Sequence, residues 1–202
     1  MKNLSRTLVS LIVIIVASLS FSQGFSGGEF GGLGGGDFGA KWMDLGELNK
    51  TLNDNNLPTF SNPAFYTGGG GYALIGKTLY GGEGYGITLS EKADDYTVEL
   101  DVGYGLFNIG YLIYAKQSLR VYGMGGVGFG GMTFKVSEFP DSKKFEDLLT
   151  DYHENLFISG PIPIFKIGFG ADYILTFKAS SSTGGFAIGI SAGYVFAPFD
   201  PI

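Results

Sequence analysis

The chain has 202 residues, no cysteine, one histidine and a net charge of −6, and it carries 35 glycines, 18 Phe, 12 Tyr and one Trp. An acidic chain without a basic patch argues against a nucleic-acid partner, because phosphate backbones attract Lys and Arg surfaces; the missing cysteine excludes disulfides, thiolate metal sites and cysteine nucleophiles together. Glycine costs roughly 1 kcal/mol relative to alanine in a helix interior, so a helical architecture is disfavoured, while 45% hydrophobic and 16% charged residues disfavour disorder.

In chain order, Lys2 and Arg6 give a basic start, residues 8–19 an apolar run, and small residues follow. This predicts a secretory leader over residues 1–22, cut after Ser20 or Ser22, since about 12 apolar residues fall short of the roughly 20 that a spanning helix needs. Residues 23–66 read as a glycine-rich N-terminal segment. Its first part, 24–40, is either a flexible lead-in or a closely packed first strand. A short helix then opens at Asp44, with Glu47 in capping-box position and Leu45, Leu48 and Leu52 on one face, and so short a helix has to lean its leucines on something else.

Residues 67–202 form the expected β domain. Period-two alternation and polar turns predict seven strands, at about 70–76, 79–90, 96–106, 107–116, 119–136, 163–178 and 184–197. The apolar set switches from even positions (Val98, Leu100, Val102, Tyr104) to odd ones (Phe107, Ile109, Tyr111, Ile113), which predicts a bulge or a very tight turn between Leu106 and Phe107. An amphipathic helix is expected over 140–156, behind Asp141, from the helical spacing of Phe145, Leu148, Leu149, Tyr152 and Leu156.

The clearest strand is 163–177. Its odd positions give Phe165, Ile167, Phe169, Ala171, Tyr173, Leu175 and Phe177, and its central even positions Lys166, Gly168, Gly170 and Asp172. A glycine-flanked ring recurs at Gly84-Tyr85-Gly86, Gly103-Tyr104-Gly105, Gly128-Phe129-Gly130, Gly168-Phe169-Gly170 and, more loosely, Ala192-Gly193-Tyr194; it reads as one packing solution used strand after strand. Oily faces without charges, opposite faces that are mostly small, fit a closed antiparallel up-and-down barrel of about eight strands with two short helices, apolar outside and small or polar inside. A soluble β-sandwich or a helix-covered sheet is the alternative. An eighth strand would come from 24–37.

Little chemistry is legible. Gly123, Gly125 and Gly128 spell a dinucleotide-type glycine pattern, but no helix follows it. His153, the sole histidine, is flanked by Asp151 and Glu154 with no serine or second ligand at diagnostic spacing, and Asp94 and Asp95 read as turn residues. No catalytic residue, metal site or cofactor is expected. One constellation stands out: Glu99, Asp101, Lys166 and Asp172, either a charge cluster that plugs or gates a narrow lumen or unrelated charges near strand ends.

With its leader, its lack of cysteine and its Gly-aromatic-Gly strands, the stretch from about residue 66 to 199 resembles the small bacterial outer-membrane β-barrels. The short helix ending near Leu57-Pro58, followed by Gly68-Gly69-Gly70-Gly71-Tyr72, is similar to glycine-rich cell-envelope proteins of bacteria. The resemblance implies an outer-membrane location, the lipid bilayer as partner, and a structural, interaction or narrow-pore role; it transfers no functional residue. A secreted soluble β-sheet binding module, periplasmic or extracellular, is the alternative, and an outer-membrane enzyme using His153 a distant third.

Overall fold

A computed structural model describes residues 14–20, 30–93, 96–116, 118–138, 153–179 and 182–198. Nine strands and one helix follow in order: β1 (Ile14–Ser20), β2 (Phe30–Lys41), α1 (Gly46–Asp54), β3 (Ala64–Ile75), β4 (Thr78–Ala93), β5 (Tyr96–Lys116), β6 (Leu119–Glu138), β7 (His153–Ile158), β8 (Ile162–Ala179) and β9 (Ser182–Phe196). The strands form one antiparallel sheet in the order β5-β4-β3-β2-β1-β9-β8-β6-β7, and β5 also pairs with β6. The all-β expectation holds. The sheet is curled, and its two faces differ sharply: on β5, Leu100, Tyr104, Leu106, Asn108 and Leu112 are buried on the concave side, while Phe107, Ile109, Tyr111 and Ile113 stand exposed on the convex side.

The expected break between Leu106 and Phe107 is absent. β5 pairs with β4 without interruption from Tyr96↔Ala93 to Tyr111↔Thr78, and the one register shift against β6 falls between Leu112 and Tyr114. What changes along β5 is the environment of each face. In its first half the concave residues Val98 and Leu100 are apolar because α1 covers them, and the convex residues Glu99 and Asp101 are polar. In its second half the convex face becomes apolar. An alternation that inverts in this way needs no change in backbone direction.

Helix α1 explains the apolar concave end. Leu45, Leu52 and Phe60 are buried with Val98 and Leu100, and Leu48, Leu57, Leu89, Met132, Phe134 and Val136 are among the residues packed against them, so the leucines lean on the sheet as so short a helix requires. The capping box does not form: Leu45 occupies the N-cap without a side-chain cap bond, and the Asp44 carboxylate instead accepts from the Gly46 N–H at 3.2 Å. The helix ends at Asp54, just before the expected Leu57-Pro58, with Asn56 in the left-handed region and the Leu57 N–H returning to the Leu52 carbonyl at 2.9 Å. The following loop is tied down by Asn49, whose amide donates to the Phe60 carbonyl and accepts the Phe60 N–H, both at 2.9 Å. Leu52→Ala is expected to cost about 2–5 kcal/mol, as other leucine truncations in filled cores do; a denaturant midpoint shift without a change in slope checks this.

Three further sequence expectations meet the structure. The described part of the glycine-rich segment is a full strand, β2, in register with β3 from Phe30↔Ile75 to Lys41↔Ala64, so over residues 30–40 the strand reading is the one observed, although β1 precedes it. Most of the expected 140–156 helix lies outside the described residues, but its end is corrected: His153 to Leu156 belong to β7, which pairs with the outer end of β6 from Glu138↔His153 to Thr133↔Ile158. The open edge of a long strand satisfies their backbone groups better than a last helical turn. Finally, residues 14–20 of the expected leader are seated as β1, since an apolar run with small residues suits a strand as well as a leader core.

Candidate functional site

The concave face carries a polar cluster in a sheet whose convex face is oily. Register builds it. Glu83 on β4 stands opposite Gly70 on β3 and Leu106 on β5, and Lys166 on β8 stands opposite Gly126 on β6. The curl brings the two together: Lys166 Nζ lies 2.5 Å from Glu83 Oε1, with side-chain exposures of 11% and 2%. The other Glu83 oxygen accepts from the Tyr72 hydroxyl at 2.6 Å and lies 3.1 Å from the Tyr85 hydroxyl. That hydroxyl is also 3.3 Å from Asp37 Oδ2, and Lys166 Nζ sits 5.7 Å from the Tyr85 ring centroid. One buried carboxylate therefore receives an ammonium and two phenols, the kind of satisfaction a buried charge demands.

Two satellites flank this centre. Lys41 at the end of β2 is buried, donates to the Tyr104 hydroxyl at 3.3 Å and lies 4.5 Å from that ring's centroid, a cation–π arrangement. Asp172 accepts from the Tyr122 hydroxyl at 3.3 Å. Asn108, fully buried, has neither amide atom hydrogen-bonded. A cavity of about 40 Å³ lies among Asp37, Tyr72, Glu83, Tyr85, Lys166, Asp172 and Ser191, space for a water or two rather than a solute.

Glycine makes this filling possible, in two opposite ways. On β4 and β5 the rings of Tyr85 and Tyr104 turn inward and their flanking glycines face out. On β6 and β8 the rings of Phe129 and Phe169 turn outward and the glycines face in. The recurring motif is thus two devices rather than one: tyrosines projecting from β3–β6 lie over a glycine wall. Tyr72 covers Gly81, Tyr85 covers Gly68, Tyr122 covers Gly170 and Asn108 covers Gly126, leaving no room for a side chain at those glycines. Convex glycines of β4 and β5 differ: a Cβ at Gly86 meets nothing within 4 Å, and at Gly103 and Gly105 its nearest neighbour is 3.9 Å away.

Of the four charges singled out from sequence, the structure brings only two to this face. Lys166 is in the centre and Asp172 beside Tyr122. Glu99 and Asp101 point to the convex side near one end of the sheet, where Glu99 lies 3.8 Å from Lys135 Nζ and Asp101 accepts from the Thr88 hydroxyl at 2.6 Å. Sequence reasoning missed Glu83, Asp37, Lys41 and the tyrosines. The signal was present: Glu83 shares its face with Tyr85 and Leu89, a charge on an otherwise apolar face, which marks an inward position with partners. His153 sits in β7 rather than on a helix. The glycine pattern at 123–128 lies inside β6, with no helix to bind a phosphate. Among the described residues no three His, Asp or Glu side chains converge as a metal site. Comparison with protein-family models and with curated proteins finds no match.

Proposed function

We propose that the chain is a bacterial cell-envelope protein whose curled sheet closes into a small barrel in the outer membrane, with a structural or interaction role and at most a very narrow pore. The observation that carries this reading is the convex face. Ile113, Phe129, Phe169 and Ile190 are each more than 60% exposed, and along β8 and β9 the convex residues whose side chains are described, Phe165 to Leu175 and Phe186 to Phe196 at alternate positions, include no charge. Water does not tolerate such a surface in a monomer; hydrocarbon requires it. Ten strand steps from Phe186 to Phe196, tilted as barrel strands are, span about 25 Å, the height of an outer-membrane apolar band. Convex charges gather beyond the band at one end, at Glu99, Asp101 and Lys135.

Closure is supported by the pairing of β5, at one end of the strand order, with β6, next to the other end, while β1 fills the place between β2 and β9 as long as the leader is attached; an open edge in lipid leaves backbone groups unsatisfied. The interior is filled by side chains, as in other barrels of about eight strands, which argues against free solute passage. No helix among the described residues is long and apolar enough to cross a membrane, and the reading relies on strands alone. Cell fractionation with gel mobility before and after heating tests it: a folded form that migrates differently until boiled and pellets with outer membranes is expected, and recovery in a detergent-free soluble fraction contradicts it. Ile190→Lys should destabilise the protein in vesicles by about 2–4 kcal/mol, the cost of a cation near the bilayer midplane, whereas Asp101→Lys should be close to neutral.

A further inference from the structure

Strand β1 lies inside residues 1–22, the stretch that cleavage of the expected leader would remove. It pairs antiparallel with β2, Ile14↔Lys41 to Ala17↔Phe38, and with β9, Ile14↔Gly193 to Ser20↔Ala187. β2 and β9 are each antiparallel to β1 and so run in the same direction. Without β1 they cannot close on one another by the antiparallel pairing used everywhere else in the sheet. What cleavage leaves is a slot one strand wide, about 10 Å between the two flanking backbones, edged by N–H and C=O groups that hydrocarbon cannot satisfy.

The walls of the slot define its occupant. The concave residues of β9 along it are Ala187, Gly189, Ser191 and Gly193, all small, and the convex residues Ile188 and Ile190 are apolar and exposed. In the full chain the slot holds Ile14–Ser20, IIVASLS, an uncharged segment of apolar and small residues. We infer that, once the leader is removed, the gap between β2 and β9 is an acceptor for an extended peptide strand of this chemistry, inserted antiparallel to both edges as in strand addition to an exposed sheet edge. This rests on the export reading above and names the partner that reading lacks: an uncharged, apolar β-strand supplied by another polypeptide.

The test uses the protein purified from cell envelopes after its own processing, its N-terminus read by mass spectrometry, beside the full-length chain in the same detergent. The probe is a fluorescein-labelled IIVASLS peptide, with a Val16→Lys version as control. Saturable one-to-one binding to the processed protein is expected, weaker by about tenfold or more for the lysine peptide and for the full-length chain, whose slot is already filled. Equal binding by the full-length chain or by the lysine peptide overturns the inference. So does absence of binding to a correctly cut protein, the result expected if residues 21–29 or a direct β2–β9 pairing fill the gap. A mass that retains Ile14–Ser20 overturns the leader reading itself, and is told apart from the other failures by the mass alone.

Discussion

Lys166→Met is expected to lower stability by about 3–5 kcal/mol, because it strands the Glu83 carboxylate in a buried site without its cation. The two phenols that remain, Tyr72 and Tyr85, contribute hydrogen bonds of about 1.5–3 kcal/mol each to a charged acceptor and do not replace the ammonium. The double substitution Glu83→Gln with Lys166→Met should recover much of the loss, since removing both charges removes the uncompensated one. Temperature of conversion from the folded to the unfolded gel band, measured for both single variants and the pair, checks the cycle; additive losses contradict the assigned ion pair. A different double substitution, at Lys166 and Asp172, bears on gating. If Lys166 and Asp172 control passage through the interior, replacing both changes conductance in planar bilayers, and unchanged conductance leaves the cluster a structural plug.

Gly128→Val is the second large effect. A Cβ at this inward position collides with the Gly105 carbonyl and comes within 2.8 Å of the Leu106 Cα, both backbone atoms that cannot rotate away, so a cost of about 3 kcal/mol or more is expected. Gly86→Val provides the control: its Cβ points to open space on the convex side, and a β-branched residue suits a strand. The two variants share the same substitution in strand interiors and face opposite sides of the sheet. Yields of folded protein in detergent should separate them clearly, and equal yields contradict the assignment of faces.

Much of the strand layout was readable because period-two alternation survives wherever one environment persists along a strand. On β8 and β9 the convex side stays oily and the concave side stays mostly small with a few charges, so strand and facing both followed from the residues. β5 is different. Its concave side passes from beneath the leucines of α1 to the polar centre, and its convex side from polar residues to the apolar band, so the apolar set changes sides while the backbone runs straight. Reading that switch as a break split one strand in two and put Glu99 and Asp101 on the wrong face. The site was half legible for a related reason. Lys166 and Asp172 were conspicuous against glycines, whereas Glu83 sat among rings on β4 and looked like an exception to an apolar face. Its partners come from strands 11 residues before it and 83 residues after it, a closeness created by curvature that local spacing does not encode.

The absence of native cysteine makes the central claim, that the convex face meets lipid, directly measurable. Single variants Ile190→Cys and Glu99→Cys, each labelled with an environment-sensitive fluorophore and reconstituted in vesicles, report opposite surroundings on the same face of the sheet. The account predicts that the probe at 190 emits as in hydrocarbon and is quenched by quenchers carried on lipid chains, while the probe at 99 is quenched by aqueous iodide. A probe at 190 as accessible to iodide as the one at 99 contradicts it.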